Sequence, residues 1–263
     1  MAIIFDGRTF AVRKEEGLKQ KVADLRSRGI VPHLASILIG ADPASKLYVG
    51  LKKKAAERIG AELDIYYLNE GTQLSEILHL IDSLNGDETV QGIMVQLPLP
   101  DSLHAAKVEI INSISSEKDV DGLRADSQFL HPTSKAVIDI LKEAEKELRI
   151  EPKSTCVVGA TGMVGAPLVK ELRRLGYNLT HEREAADVLI SCTGKPSLID
   201  GSTVKVGAIV IDVGSPKGDI EFEAVSKKAG FITPVPGGVG PVTISCLLEN
   251  LVYACYNSHT HAG

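Results

Sequence analysis

The chain has 263 residues, 44% of them hydrophobic, with 29 basic against 34 acidic side chains and a formal net charge of -5. That length accommodates one large domain or two of about 100 to 150 residues, each able to bury a core; the acidic balance, with no basic run beyond Lys52, Lys53 and Lys54, argues against nucleic acid as a main partner. No charged-then-apolar leader and no apolar stretch near 18 residues is visible, so a cytoplasmic protein without a membrane segment is expected.

In chain order, apolar strand-like runs alternate with amphipathic helical stretches. LASILI at 34 to 39 leads to LYVGLKKKAAERIG, then ELDIYYL at 62 to 68, a helix through 74 to 84, and GIMVQLPLP at 92 to 100. This βαβ rhythm predicts a parallel sheet covered by helices. Tyr48 and Lys52, four apart, share one helical face; a solvated lysine run beside a half-buried tyrosine is the competing reading. Gln96 stands where an apolar strand ends before a proline-stiffened loop. Polar residues at the carboxyl ends of parallel strands face ligand crevices, so this amide is placed to orient a lysine amine. KDVDG at 118 to 122 points Asp119 and Asp121 the same way if extended, or else forms an ordinary acidic turn.

A polar, loop-like stretch from Gly122 to Ser134 and a charged helix from Lys135 to about Arg149 read as the connection between domains. A second βα series starts at STCVVG, continues through ADVLISC at 186 to 192 and AIVIDVG at 208 to 214, and reaches FITPVPGGVGPVT. At 157 to 167 the chain reads VVGATGMVGAP. Glycines at a strand-to-helix turn let the backbone approach a pyrophosphate, whose charge the following helix favours. The spacing is G-x-x-G-x-x-G rather than G-x-G-x-x-G, and a tight turn with close helix packing would use the same glycines. PVPGGVGPVT, 234 to 243, is stiff where proline fixes φ and bare where glycine removes the side chain, so a flat ring can lie on its backbone. From Pro241, Ile244, Leu247, Leu248, Leu251, Val252 and Cys255 form one helical apolar stripe. Cysteines 156, 192, 246 and 255 lie in apolar segments without a C-x-x-C pair, which fits core residues in a reducing compartment and indicates neither a disulfide nor a zinc site. His259 and His261, in the polar tail SHTHAG, read as a frayed end rather than a metal site.

With SKLYVGLKKKA, GIMVQLPLP, KDVDG, VVGATGMVGAP, GAIVIDVG and ITPVPGGVGPVT in order over nearly its full length, the chain resembles the bifunctional methylenetetrahydrofolate dehydrogenase/methenyltetrahydrofolate cyclohydrolases. The resemblance implies NADP-dependent oxidation of 5,10-methylenetetrahydrofolate, then hydrolysis of the methenyl product to 10-formyltetrahydrofolate, in a homodimer serving one-carbon metabolism and purine biosynthesis. It implies two α/β domains facing each other across a cleft. The first is a folate-binding catalytic domain at 1 to 122, completed by a C-terminal helix at 241 to 263. The second is a Rossmann-like NAD(P)-binding domain at 135 to 240. Motif by motif, Lys52 falls on the catalytic lysine, Tyr48 on the tyrosine that packs against the folate, Gln96 on the glutamine that works with the lysine, and Asp121 on the acid that grips the pterin. Leu97, Pro236, Gly237 and Gly238 line the substrate. Gly159, Ala160, Thr161, Gly162, Val164 and Gly165 form the phosphate turn, and Thr193, Gly194 and Ser215 touch the cofactor. No metal is implied.

Three departures stand against that pattern. Position 160 is Ala where many members carry an arginine for the cofactor's 2′-phosphate, and HPTS at 131 to 134 replaces a P-C-T-P stretch. GYNLTHEREAADVLISC leaves about five residues between a strand ending near His181 and one beginning near Asp187, where a parallel crossover normally takes about a dozen. A shortened second crossover is therefore expected, with its helix deleted. Glu182 follows Gly159 at nearly the offset, about 20 residues, at which an acid binds a ribose 2′-hydroxyl, and Arg183 beside it suits a 2′-phosphate, so NADP is expected with NAD as the alternative. A hydrolase that has lost productive dinucleotide binding is the competing function; a non-catalytic dinucleotide-binding module is a third.

Overall fold

The computed structural model describes residues 2 to 260, with only the backbone for 258 to 260. The reading of His259 and His261 lies outside the described residues. The elements run β1 (Ile3–Ile4), α1 (Gly7–Ser27), β2 (His33–Ile39), α2 (Pro43–Ile59), β3 (Glu62–Leu68), α3 (Leu74–Gly86), β4 (Gly92–Val95), α4 (Lys107–Asn112) and α5 (Pro132–Leu148). They continue with β5 (Thr155–Val158), α6 (Gly165–Arg174), β6 (Leu179–Thr180), β7 (Val188–Ser191), β8 (Ile209–Asp212), α7 (Phe222–Val225), β9 (Phe231–Ile232) and α8 (Val239–Thr260).

The chain divides into two compact units, one of residues 13 to 130 and 247 to 263, the other of residues 1 to 12 and 131 to 246. Of the three points where the chain passes from one unit to the other, two fall inside long helices, α1 and α8, and the third falls at Leu130–His131, just ahead of α5. The first twelve residues therefore do not group with the segment that follows them, as a domain at 1 to 122 requires. The reason is strand pairing: β1 adds in parallel to β9, with Ile3 opposite Phe231 and Ile4 opposite Ile232, and Phe5 stacks 5.6 Å from the Phe231 ring.

In the lysine-bearing unit three parallel strands lie in the order β3-β2-β4. β2 is central and buried along nearly its whole length, as a strand covered on both faces must be. Alternation assigns the faces. Ala35, Ile37, Ile39, Ile93 and Val95 join Ile77, Ile81 and Leu84 of α3 in one core cluster. Gly92, Met94 and Gln96 consequently address the opposite face. α8 packs there: a methyl group at Gly92 would come within 2.9 Å of Leu251 and of Val120.

In the other unit six parallel strands run β1-β9-β8-β7-β5-β6, with β7 and β8 fully buried. α5 begins at Pro132, three residues earlier than Lys135, because the His131 ring caps it: Nδ1 accepts the Thr133 N–H at 3.2 Å, with proline in the first turn. The HPTS sequence is thus a helix start. The last helix also departs from expectation, since Val239–Asn257 is long and apolar enough by composition to cross a membrane, at a mean hydropathy of 1.2. It is a core helix instead, 67% buried, and the predicted stripe from Ile244 to Cys255 is buried throughout.

Candidate functional site

Lys52 owes its position to a well-delimited helix. Asp42 caps α2 by accepting the Ser45 N–H at 2.7 Å, Pro43 occupies the first turn, and Gly60 ends the helix at φ 82°. Ser45, Val49, Lys52, Ala56 and Ile59 fall on its buried stripe. The lysine run is therefore not uniformly solvated: Lys52 is 4% exposed, while Lys54 is exposed.

The Lys52 Nζ donates to Gln96 Oε1 at 3.0 Å and approaches Met94 Sδ at 3.5 Å. It also lies 4.8 Å from the centre of the Tyr48 ring, within cation–π range. The Gln96 Nε2 donates to the Leu97 carbonyl at 2.6 Å, which turns the amide oxygen toward the amine. Burial lowers the Lys52 pKa to about 8 from 10.5, and the Asp121 carboxylate opposes the shift. Burial also raises the Tyr48 pKa, and Asp121 adds to the rise. The result is an amine that exchanges its proton near neutrality, held between an amide and an aromatic ring. Met94 was not singled out from sequence; its alternation with Gln96 along β4 was the available signal.

Asp119 and Asp121 are not on an extended segment. KDVDG turns, with Val120 N–H donating to Lys118 O at 2.8 Å and Gly122 N–H to Asp119 O at 3.0 Å. Asp119 is wholly buried and accepts the Arg124 N–H at 2.9 Å, while Lys118 donates to the carbonyls of Leu84, Asn85 and Asp87 at the end of α3. Asn250 holds the same turn through the Val120 carbonyl at 2.9 Å. The two acids thus separate: Asp119 fastens the turn and Asp121 acts electrostatically on Lys52 and Tyr48.

In the other unit the glycine turn leaves β5 at Gly159, φ 86°, where a side chain would meet Cys192 O at 2.6 Å. A Cβ at Gly165 would lie 2.1 Å from Gly159 O. These two glycines serve tight packing. Thr161, Gly162 and Met163 are exposed ahead of α6, whose N-terminus has no side-chain cap. Ala160 and Val164 are half-buried, and Val164 O accepts the Ser134 hydroxyl at 2.9 Å. An exposed turn feeding an uncapped ten-residue helix fits a pyrophosphate.

Thr193 turns inward. Its Oγ1 and N–H donate to Asp219 Oδ2 at 2.8 and 2.7 Å, alongside the Ser191 hydroxyl at 2.8 Å. Asp212 accepts the Gly214, Asp219 and Ile220 N–H groups. These buried acids shape the loops carrying Thr193, Gly194 and exposed Ser215; sequence reading missed both, although Asp212 ends the IDVG strand. In PVPGGVGP, Gly238 is buried and a Cβ there would lie 2.5 Å from Pro234 O. At Gly237 a Cβ would meet nothing nearer than Arg8 Nε at 3.9 Å. Gly237, beside exposed Pro236, and exposed Gly240, where a Cβ would meet nothing within 4 Å, leave their backbone faces open.

The shortened crossover takes seven residues, 181 to 187, with one 3₁₀ turn at Arg183–Ala185. It closes because β6 has only two residues, paired Leu179 to Thr155 and Cys156 to Thr180, while β7 starts level with Thr155 on the other side of β5. Two strand spacings, about 10 Å, are within easy reach of such a segment. Glu182 and Arg183 are exposed on it.

A parallel α/β unit with a buried amine of lowered pKa, and a second with a glycine turn suited to pyrophosphate, define a dinucleotide-dependent enzyme class. Residues 5 to 121 match the family profile "Tetrahydrofolate dehydrogenase/cyclohydrolase, catalytic domain", and residues 131 to 259 match its "NAD(P)-binding domain". The chain belongs to the tetrahydrofolate dehydrogenase/cyclohydrolase family. It is 42% identical to the bifunctional protein FolD of Campylobacter jejuni over 281 aligned positions, which cover 97% of this chain and 98% of that one. It is 40% identical to the Staphylococcus haemolyticus protein of the same name, with 97% of each covered. The crystal structure of the bifunctional FolD enzyme, methylenetetrahydrofolate dehydrogenase/cyclohydrolase, from Campylobacter jejuni superposes with a TM-score of 0.90 at 40% identity, covering 98% of this chain and all of that one. The Trypanosoma brucei enzyme, complexed with NADP cofactor and inhibitor, gives 0.89 at 32% identity, with 98% of each chain covered.

Proposed function

We propose that the chain oxidises 5,10-methylenetetrahydrofolate with NADP and hydrolyses the methenyl product to 10-formyltetrahydrofolate. The observation that carries this is the Lys52 amine, buried against Gln96 and Tyr48 with its pKa lowered to about 8, in a chain matched over both domains of its family. Lys52, Tyr48 and Gln96 are assigned to catalysis. Leu97, Asp121, Pro236, Gly237 and Gly238 join them in binding folate. Gly159 to Gly162, Val164, Gly165, Thr193, Gly194 and Ser215 are assigned to the dinucleotide, with Glu182 and Arg183 at its adenosine end.

NADP, when bound, accepts the hydride. The substrate carbon sits between two nitrogens that stabilise the positive charge left behind, so this half needs alignment rather than an acid or base. Hydrolysis needs a proton taken from water and one delivered to a ring nitrogen. Lys52 Nζ, part neutral near pH 8, takes the first, and Gln96 Oε1 holds it in place. The hydrolase-only alternative finds little support, since the turn before α6 keeps its exposed backbone.

NADPH formation with methylenetetrahydrofolate, followed by methenyl hydrolysis in a Lys52→Arg variant, tests both halves. No NADPH from the wild type rejects the dehydrogenase assignment, and an unchanged hydrolysis rate removes Lys52 from the mechanism. As finer points, we place the enzyme in the cytoplasm as a homodimer supplying formyl groups for purine biosynthesis; sedimentation of the purified protein checks the dimer.

A further inference from the structure

β2 carries one hydroxyl in its apolar run HLASILI, that of Ser36. The residue is fully buried, and among the described residues its Oγ has no hydrogen-bond partner. A hydroxyl withdrawn from water is costly unless a new bond replaces the one lost. Strand register says where this one lies. Ser36 stands opposite Met94 on one side and Ile65 on the other, so alternation puts its side chain on the face that Met94 and Gln96 address, one strand spacing of about 4.8 Å from Met94. The Lys52 amine lies on that face, 3.5 Å from Met94 Sδ and 3.0 Å from Gln96 Oε1.

The amine is short of partners as well. An ammonium has three protons to donate, and among the described residues Lys52 Nζ has these two acceptors, of which the thioether is weak. Gln96 Oε1 can only accept, so it holds the ammonium but cannot serve the lone pair that appears when the proton leaves. A serine hydroxyl both donates and accepts, turning about a single bond. The hydroxyl and the amine are not in direct bonding contact, and one water between them gives each the partner it lacks. We propose that Ser36 is a positioning residue for the Lys52 amine, holding it through one bridging water in both its protonated and its neutral form while the methenyl substrate is hydrolysed. The proposal rests on the assignment of Lys52 as proton carrier. Tyr48 from α2 and Asp121 from the KDVDG turn are the titratable groups that act at the amine. On this face of the sheet β2 and β4 present none, and β3 offers Tyr67, exposed at the sheet edge.

The pH profile of methenyl hydrolysis in the wild type, Ser36→Ala and Ser36→Thr tests this, with a thermal melt confirming that each variant folds. Loss of a group that accepts from the ammonium favours the neutral amine, so Ser36→Ala should move the midpoint down by about half a unit to one unit and lower the plateau rate about five- to tenfold. Ser36→Thr keeps the hydroxyl and should restore both. A serine that only fills space would cost stability on substitution without moving the midpoint. An unmoved midpoint in Ser36→Ala, or the same shift in a folded Ser36→Thr, overturns the proposal and leaves Lys52 as proton carrier; if the threonine variant does not fold, the alanine midpoint decides alone. Hydrolysis that Lys52→Arg leaves unchanged rejects the lysine assignment, and this proposal with it.

Discussion

In one unit the proposed site rests on side chains withdrawn from solvent, and in the other on backbone left open to it. Lys52 and Gln96 are 4% and 8% exposed, and their meeting requires a helix stripe and a strand alternation to agree. Thr161, Gly162 and Met163 are exposed, and the turn they form is dictated by two glycines that pack against the backbone beneath them. The difference follows from what each site must do. Burial, which removes water, is what lowers the Lys52 pKa. Receiving a dianionic ligand requires N–H groups that no side chain covers.

The comparison breaks most visibly at Lys52. Replacement by Met keeps the volume of the stem but removes the proton carrier, and methenyl hydrolysis should fall about a thousandfold while NADP affinity, measured by calorimetry, stays within about twofold. A parallel loss of dinucleotide binding would show that the two sites are not separable. Next in size is Gly159→Ala. Its φ of 86° and a Cβ 2.6 Å from Cys192 O together destabilise by about 3 kcal/mol, read as a lower denaturant midpoint and weaker NADP binding. An unaltered midpoint would mean that the turn relaxes freely and that its shape is not what packing dictates.

The two plans also differ in how far they could be read from the amino-acid order. The glycine turn is local: strand, glycines and helix stand within eleven residues, and the spacing alone left open packing or phosphate. Packing accounts for Gly159 and Gly165, while Thr161 to Met163 stay exposed, and it is there that the phosphate is proposed. The lysine site is non-local, joining residues 44 apart. Its sequence signal lay in the stripe Ser45, Val49, Lys52, Ala56 and Ile59, where a lysine stands on an otherwise inward face. The strand series from LASILI onward was legible because both sheets are parallel and their central strands are apolar. β1 was not, since two residues, Ile3 and Ile4, acquire strand character only by pairing with β9. The early start of α5 was hidden for a similar reason, since a histidine ring is an uncommon cap. Asp212, at a strand end, and Asp219, in the loop that follows, escaped notice because such acids read as solvent-facing until the N–H groups converging on them are known.

Titration sharpens the contrast further. The unfolded chain holds the lysine proton up to about pH 10.5, whereas the folded chain releases it near 8. Between those values the unfolded state binds more protons, so stability rises with pH across the window; below pH 8 the full penalty applies. The wild type should therefore gain up to about 3 kcal/mol relative to Lys52→Met from pH 7.5 to 10.5, measured as the difference in unfolding free energy. The same comparison for a substitution in the glycine turn should be flat, because no buried amine is involved.

The smallest effect separates the ring of Tyr48 from its hydroxyl. The amine lies 4.8 Å from the ring centre, and phenylalanine keeps that face, so Tyr48→Phe should leave the pH midpoint of hydrolysis in place. Tyr48→Leu removes the quadrupole that favours the ammonium, a contribution of about 1 kcal/mol, and the midpoint should move down from about 8. Both variants keep an apolar neighbour over Lys52, so burial changes little between them and the midpoint reports the ring alone. If instead Phe moves the midpoint as far as Leu does, the hydroxyl is the group that Lys52 senses, and the buried site works through a proton-bearing partner rather than an aromatic face.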